Sequence, residues 1–188
     1  MTTIETRRFL LRDFEAGDAP AFAAYHADPR FVAAREAAGQ EAGDPVALVE
    51  LFRRWAGERP RRNHQLAVVE RQTGLLVGCC GIRTADCPQG SGELGIELSA
   101  DLWGRHGCAL EIAEALAAFG FTTLDLDTIF GETTTHNRPA ARLAAFLGAE
   151  LEEQPGMHET QGPASAAKPA IWRVGRAQWQ ARKVAGEA

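Results

Sequence analysis

Runs of alternating apolar residues and runs with helical spacing follow one another along the chain and predict strands and helices in mixed order. Strands are predicted where apolar residues alternate or cluster, at residues 9–14, 65–70, 75–82, 93–98, 127–133, 150–157 and 170–174. Helices are predicted where apolar residues recur every three or four positions, at residues 18–28, 44–56, 109–119 and 137–148. This order predicts an α/β or α+β fold in which helices cover the faces of a mixed sheet.

Capping residues and prolines mark three of the predicted helix starts. Each start pairs a polar residue that can cap the first turn with a proline that is tolerated there: Asp18 with Pro20, Asp44 with Pro45, and Asn137 with Pro139. Gly148 is placed to end the last of these helices. Residues 33–43 have weak periodicity and predict a mobile connection or lid, residues 158–169 predict a loop, and the tail beyond about residue 182 is expected to fray.

The predicted strand at residues 93–98 has two chemically different faces. Leu94, Ile96 and Leu98 point to one side, which predicts contact with a core. Glu93 and Glu97 share the opposite side. These carboxylates are either solvated charges on the face of a strand or groups that can take part in proton transfer.

A short glycine-containing loop joins this strand to the next helix, with the sequence Trp103-Gly104-Arg105-His106-Gly107-Cys108-Ala109. The first amides of a helix have no intrahelical partner, and the helix dipole places partial positive charge there. Gly104 and Gly107 let a bulky anion approach the backbone, and Arg105 adds a full charge with a forked donor. The loop therefore predicts a phosphate or pyrophosphate cradle. A plain strand-to-helix connection has the same pattern, and the loop matches neither a Walker sequence nor the three-glycine dinucleotide spacing.

Composition narrows the classes of function. The chain has 188 residues and a formal net charge of −5, which fits one globular domain over residues 1–188 and does not indicate a nucleic-acid surface. No run reaches the roughly 18–20 apolar residues that cross a bilayer, and the N-terminus has no apolar signal core. A cytoplasmic protein without membrane contacts is expected. The four cysteines lack metal-ligand spacing, so reduced thiols and no bound metal are expected.

Three motifs, in the right order and spacing, connect this chain to a known family. Residues 6–12 are similar to the family's opening strand, residues 95–109 to its pyrophosphate loop, and residues 131–149 to its strand, asparagine-capped helix and Leu-Gly ending. The chain thus resembles the GNAT superfamily of acyl-CoA-dependent N-acetyltransferases, and most closely the branch that includes the ribosomal-protein N-terminal acetyltransferases. The resemblance covers roughly residues 5–180. It implies a single acyltransferase domain with a mostly antiparallel twisted sheet of about seven strands and about four helices.

The resemblance implies a co-substrate and a site for it. Acetyl-CoA would donate an acetyl group to a primary amine, on a protein N-terminus or a small molecule, by direct attack in a ternary complex. No metal is implied, and a homodimer is compatible with this kind of domain. The residues expected to hold the coenzyme line the loop and the two strand ends beside it: Leu98, Ser99, Gly104, Arg105, His106, Gly107, Cys108, Ala109 and Asn137.

Several of these residues have a second interpretation. Asn137 can cap its helix, contact the pantetheine arm, or do both. His106 can bind a phosphate or can be an ordinary loop residue. Cys108 fits a packed small residue at a helix start better than a nucleophile. Strand amides near Leu98 and Ser99 are candidates to stabilise the thioester oxygen as it gains charge.

The sequence offers candidates for the base of the reaction, but the family's usual acid has no match in this chain. Glu93 and Glu97 are the candidate bases, with Glu93 slightly preferred, because a carboxylate on this strand can take the amine proton directly or through water. Many relatives use a tyrosine near the asparagine-capped helix as the acid, but Tyr25, in the first helix, is the one tyrosine of this chain. Ala140 stands where a serine is frequent, and Gly104 where glutamine or arginine is usual.

Two other functions remain open at this point. A catalytically silent acyl-CoA-binding or regulatory module could use the same scaffold, since the usual tyrosine and serine are missing. A protein that binds a different phosphate ligand would also explain the loop. Turnover distinguishes the first alternative from an enzyme, and ligand identity distinguishes the second.

Overall fold

A computed structural model describes residues 1–39, 43–105, 107–149, 151–153 and 168–186 of the chain. The strands in this part of the chain are Thr3–Glu5 (β1), Phe9–Asp13 (β2), Asn63–Glu70 (β3), Leu76–Arg83 (β4), Ser91–Leu98 (β5), Thr128–Thr134 (β6), Leu151–Glu153 (β7) and Pro169–Gly175 (β8). The α-helices are Ala19–His26 (α1), Pro29–Ala37 (α2), Pro45–Gly57 (α3), Cys108–Thr122 (α4), Arg138–Leu147 (α5) and Arg176–Gly186 (α6). The mixed α/β class predicted from the sequence is confirmed.

All eight strands form one sheet in the order β1-β2-β3-β4-β5-β6-β8-β7. Strands β5 and β6 pair in parallel, and every other neighbouring pair in the described sheet is antiparallel. The expected mostly antiparallel sheet is therefore correct. The parallel pair requires a crossover connection, and α4 is the helix in that crossover.

Strands β5 and β6 are paired only near their amino ends. Their register joins Ser91 to Thr128 and ends where Glu93 meets Phe130. Beyond that point β5 stays paired with β4 as far as Leu98, and β6 stays paired with β8 as far as Thr134. The described sheet is thus open between the carboxyl halves of its two central strands.

Two apolar cores lie on opposite faces of the sheet. The core beneath α4 includes the apolar face of β5 and the buried side of the helix: Leu94, Leu98, Ile112, Ala113 and Leu116. The core beneath α1 and α3 is rich in aromatic residues: Phe14, Phe22, Tyr25, Phe31 and Phe52. The predicted alternation along β5 is confirmed, since Ile96 also packs against the first core.

Two of the three predicted helix caps are confirmed. The Asp44 carboxylate accepts from the Val46 amide at 2.9 Å, and the Asn137 side chain accepts from the Ala140 amide at 3.1 Å. Asp18 is also the N-cap residue of α1, as predicted, but its side chain makes no cap bond to that helix. Asp18 instead accepts two hydrogen bonds from the Arg12 guanidinium, a stronger charge-assisted interaction than a neutral amide cap.

The segments predicted to be irregular are more regular than expected. Residues 29–37 form α2, whose start is capped by Asp28, so the first part of the connection predicted at residues 33–43 is helical. Residues 40–42 lie outside the described residues. The tail forms α6 up to residue 186, because Trp179 packs into the core beneath α4. Strand β1 was not predicted. Most of the predicted loop at residues 158–169 lies outside the described residues.

Gly131 on β6 offers a test of how tightly this fold is packed. A Cβ at Gly131 would lie 2.6 Å from ring atoms of Trp172, which is only 3% exposed. We expect Gly131→Ala to lower the free energy of unfolding by about 1–3 kcal/mol, because the buried ring has to shift. Urea denaturation measures this change.

Gly57 provides the matched control for that experiment. It ends α3, and a Cβ there meets no atom of the described residues within 4 Å. Gly57→Ala should change stability by no more than about 0.5 kcal/mol. Equal stability of the two variants would contradict the packing described for Gly131.

Candidate active site

A polar cluster forms between the carboxyl end of α1 and β5. The Tyr25 hydroxyl donates to Oε1 of Glu97 at 2.6 Å, and Nε2 of His26 lies 2.8 Å from the same oxygen. Tyr25 and His26 are each 8% exposed, whereas the Glu97 side chain is 36% exposed. Two buried rings thus hold a carboxylate that still reaches the surface.

The adjacent strands extend this cluster across the sheet. Cys79 on β4 is the antiparallel partner of Glu97, and its Sγ lies 3.9 Å from Oε1 of that residue. Gln65 on β3 donates from Nε2 to Cys79 Sγ at 3.3 Å. The cluster is therefore continuous from β3 through β4 to β5 on the face that α1 covers.

The surroundings of the cluster keep its weak acids protonated. Burial, together with the nearby Cys79 and Glu97, raises the pKa of the Tyr25 hydroxyl far above its usual range. Burial, and then the Glu97 charge, raises the pKa of the Cys79 thiol well above its usual value. Tyr25 therefore acts as a hydrogen-bond donor to Glu97, and the same high pKa makes it a poor acid for protonating a thiolate.

Aromatic residues form a wall beside Glu97. The ring of Phe31 on α2 lies 5.3 Å from that of Tyr25 and 4.9 Å from that of His26, between ring centroids. On its other side, Phe31 lies 6.2 Å from Trp103, which is 45% exposed. The wall thus leads from the carboxylate to the start of the glycine-containing loop.

The two glutamates predicted as bases have different surroundings. Glu93 accepts from Arg83 at 2.8 Å, and these residues are direct cross-strand partners on β5 and β4. Glu97 has no arginine or lysine as a salt-bridge partner among the described residues. The polar cluster therefore surrounds Glu97 and not Glu93, the residue slightly preferred from the sequence.

The loop after β5 has the backbone geometry that its glycines predict. Gly104 and Gly107 both have φ of +69°, a left-handed conformation that costs glycine little. Gly107 is the N-cap of α4 and makes no side-chain cap bond, so no cap side chain competes with an anion for the start of the helix. His106 lies outside the described residues.

Cys108 and Ala109 begin α4 as small packed residues. Cys108 is buried in the core beneath the helix, and Ala109 packs against the same core. This burial fits the packing interpretation of Cys108 over a nucleophilic one. These two side chains hold the helix start close to the sheet. The Cys108 amide donates to the Arg105 carbonyl at 3.4 Å, so it is not a free donor for a ligand.

Arg8 is a functional candidate that the sequence did not single out. Its Nε donates to Glu111 Oε2 at 2.7 Å, and its backbone amide donates to Oε1 of the same residue at 2.7 Å. Nη2 of Arg8 would lie 3.7 Å from a Cβ placed on Gly107. The guanidinium of Arg8 thus lies beside the loop. Burial acts to raise the pKa of Glu111, but hydrogen bonds from Thr6 and Arg8 outweigh it and lower that pKa.

The remaining predicted coenzyme residues lie at the carboxyl ends of the two central strands. Leu98 ends β5, and its carbonyl accepts from Trp103 Nε1 at 2.9 Å. Asn137 follows β6 and caps α5. Since β5 and β6 are parallel neighbours, both groups lie at the same edge of the sheet as the loop. The Ser99 amide, however, donates to the Val77 carbonyl at 2.8 Å, so this amide is not free to stabilise a thioester oxygen.

The described residues contain neither a side-chain group placed to bind a metal nor a helix suited to cross a membrane. No group of three or more His, Cys, Asp or Glu side chains in this part of the chain is placed to hold a metal ion. No helix within the described ranges is both long and apolar enough to cross a membrane.

The loop after β5 has the backbone features that the pyrophosphate of a coenzyme A group requires. The glycine backbone and uncapped helix start suit a pyrophosphate, which binds N–H donors at helix starts. A Cβ on Gly104 would meet no atom of the described residues within 4 Å, so the loop is open to a bulky group. Arg105 is the charged residue between the two glycines.

Known proteins are similar to this chain in sequence and in fold. A family model described as an acetyltransferase (GNAT) domain matches residues 8–150. The uncharacterized N-acetyltransferase p20 of Bacillus licheniformis is 26% identical over 156 residues, which cover 81% of this chain and 84% of that protein.

Solved structures of acetyltransferases have a fold similar to that of this chain. An acetyltransferase from Agrobacterium tumefaciens str. C58 has a TM-score of 0.68 at 25% identity, over 94% of this chain and 95% of that one. The ribosomal-protein-S5-alanine acetyltransferase from Vibrio fischeri has the same fold, with a TM-score of 0.71 at 16% identity, over 95% of this chain and 99% of that one. The chain therefore belongs to the GNAT family of acetyltransferases, as its three motifs predict.

Proposed function

We propose that this protein transfers an acetyl group from acetyl-CoA to a primary amine in a ternary complex, with Glu97 as the general base. The arrangement of Glu97 is the observation that carries the proposal. Its carboxylate is held from the protein side by Tyr25 and His26 and is open on the other side. It belongs to β5, the strand that leads directly into the coenzyme loop.

The coenzyme is proposed to lie along the seam between β5 and β6. Its pyrophosphate would bind the loop at residues 104–109, with the α4 amides and Arg105 as donors. Its pantetheine arm carries amides, and an unpaired strand edge offers N–H and C=O groups to such a chain. Leu98 and Ser99 would lie on one side of this arm and Asn137 on the other.

The proposed reaction needs one proton acceptor and no covalent enzyme intermediate. A protonated amine is not nucleophilic, so Glu97 removes a proton from it directly or through a water. The free amine attacks the thioester carbonyl, a C–N bond forms, and the C–S bond then breaks to release the CoA thiolate. The attacking nitrogen loses its second proton, the thiolate takes up one proton and leaves as CoA, and the net products are an amide, CoA and the one proton that Glu97 removed.

The acceptor side of the site favours a cationic amine. The Glu97 carboxylate attracts an ammonium group, and the partly exposed ring of Trp103, 6.2 Å from Phe31, can add a cation–π contact. Protein N-termini and small amines such as polyamines both have this chemistry. A catalytically silent acyl-CoA-binding module remains the rival function, and turnover distinguishes the two.

Gly107→Asp tests the placement of the coenzyme. We expect acetyl-CoA affinity to fall at least about 100-fold, because a carboxylate at the helix start repels the pyrophosphate. Isothermal titration with acetyl-CoA, CoA and 3′-dephospho-CoA measures this loss. Gly74→Asp is the matched control, since Gly74 also has a left-handed φ, of +72°, but lies in the β3–β4 turn with nothing near its Cβ position.

The control variant should bind acetyl-CoA like the original protein. Weak binding by both variants would indicate general damage from aspartate at a left-handed position. If the original protein does not bind acetyl-CoA at millimolar concentration, the coenzyme proposal is wrong.

Glu97→Gln tests the base. At pH 7 we expect acetylation of the amine to slow by about 10²–10⁴-fold, the usual contribution of general base catalysis. Glu93→Gln, in which the ion pair with Arg83 is lost, should change the rate only about twofold. Release of CoA thiol can be followed with peptides that start with alanine or serine, with spermidine and with simple alkylamines.

The pH dependence of these variants sharpens the test. An alkylamine has a pKa of about 10, so its neutral fraction grows as pH rises and less base assistance is required. The deficit of Glu97→Gln should therefore shrink toward pH 10. Unchanged rates at pH 7 would remove Glu97 from the base role, and binding without turnover of any amine would favour the silent module.

A further inference from the structure

One oxygen of the Glu97 carboxylate receives both donors from α1. The Tyr25 hydroxyl and His26 Nε2 lie 2.6 Å and 2.8 Å from Oε1, and Cys79 Sγ approaches the same atom at 3.9 Å. Since a carboxylate oxygen has about two lone-pair sites, Oε1 is fully used. Oε2 has no hydrogen-bond partner among the described residues. One oxygen is thus anchored and the other is open.

The two donors are themselves fixed by ring packing. The Phe22 ring lies 5.2 Å from Tyr25 and 4.4 Å from His26, and the Phe31 ring also packs against both. Both donor residues are buried. Neither ring can turn away from Glu97 without opening the aromatic core, so the anchor is rigid.

The hydrogen positions in the anchor follow from the chemistry of a carboxylate. An ionised carboxylate only accepts, so both the Tyr25 hydroxyl and His26 Nε2 must donate. Nδ1 of His26 is buried without a hydrogen-bond partner among the described residues, which fits a ring that carries its hydrogen on Nε2. Both lone-pair sites of Oε1 already accept hydrogen bonds from these two donors. The oxygen at which Glu97 can gain a proton is therefore Oε2.

We propose that Tyr25 and His26 are positioning residues that anchor Oε1 of Glu97 and thereby direct Oε2 toward the acceptor amine, or toward the water that relays its proton. This inference rests on the proposed function. A base must lie within hydrogen-bond reach of the proton that it removes, and buried neighbours fix that geometry. No contact of either ring with substrate is required.

Loss of one donor should reduce turnover and leave coenzyme binding unchanged. Tyr25→Phe keeps the ring and its packing and removes only the hydroxyl. We expect kcat to fall about 10-fold, because a misplaced catalytic group costs one to two orders of magnitude in rate. The KM for acetyl-CoA should stay within about twofold of its original value, since the anchor does not touch the coenzyme loop.

His26 allows both removal and rescue of the second donor. His26→Leu removes the donor, whereas the side-chain amide of His26→Gln can place an N–H near the position of Nε2. We expect kcat to fall about 10-fold in the first variant and to recover at least half in the second. Thr122→Val is the matched control, because it deletes a hydroxyl that donates to the Ala118 carbonyl at 2.6 Å near the far end of α4. That control should keep the original kcat.

A comparison in two backgrounds separates positioning from a structural role. In the Glu97→Gln background, Tyr25→Phe should cause less than about a twofold further loss, because no base is left to position. Equal losses in both backgrounds would overturn the inference. The inference is also overturned if Tyr25→Phe and His26→Leu both keep the original rate and pH profile although Glu97→Gln is inactive.

The proposed function fails in a different way from this inference. It is overturned when Glu97→Gln keeps the original rate, or when no amine is acetylated. The anchor can still be measured then, by ¹⁵N NMR of the histidine rings, with the His26 signals assigned from their loss in His26→Gln. We expect the hydrogen of His26 on Nε2, and a hydrogen on Nδ1 with an unprotonated Nε2 would overturn the anchor.

Discussion

The early end of the β5–β6 ladder is the constraint on which the rest of the structure depends. After Glu93 and Phe130, each strand keeps a partner on its outer side only, so two half-sheets separate without losing their own hydrogen bonds. The carboxyl ends of both strands meet this opening, as do the loops that follow them. A long ligand can therefore contact backbone from both half-sheets while the cores beneath remain closed.

Strand β5 contacts the core beneath α4 with one face, presents two glutamates on the other face, and leads into the glycine loop. Its apolar face, with Leu94 and Leu98, attaches the strand to the core beneath α4. Its other face presents Glu93 to Arg83 and Glu97 to the rings of α1. Its end continues into the loop that opens α4. A shift of register by one residue would exchange these faces, so the buried leucines also fix where the carboxylate lies.

Much of the fold and part of the site could be predicted from local sequence. The β5 alternation, the Asp44 and Asn137 caps and the glycine loop depend on neighbours within a few residues, and all four are found in the structure. The contact of Tyr25 with Glu97 spans 72 positions, and no periodicity encodes it. The sequence does show a single tyrosine next to a histidine at the end of a predicted helix. It does not show that their partner is Glu97. The Arg12–Asp18 pair likewise shows that a nearby charge can take a residue whose type predicts a cap.

The Arg8–Glu111 contact has a consequence for the order in which the site is assembled. The two residues are 103 positions apart, yet both lie beside the glycine loop. On a ribosome, Arg8 is synthesised long before the helix that carries its partner, so the cradle cannot be completed until more than half of the chain has been made. Closing so long a loop carries an entropic cost that the packed cores on both faces of the sheet must offset. The contact beside the glycine loop thus cannot form before α4 has been made, although the loop motif itself is local.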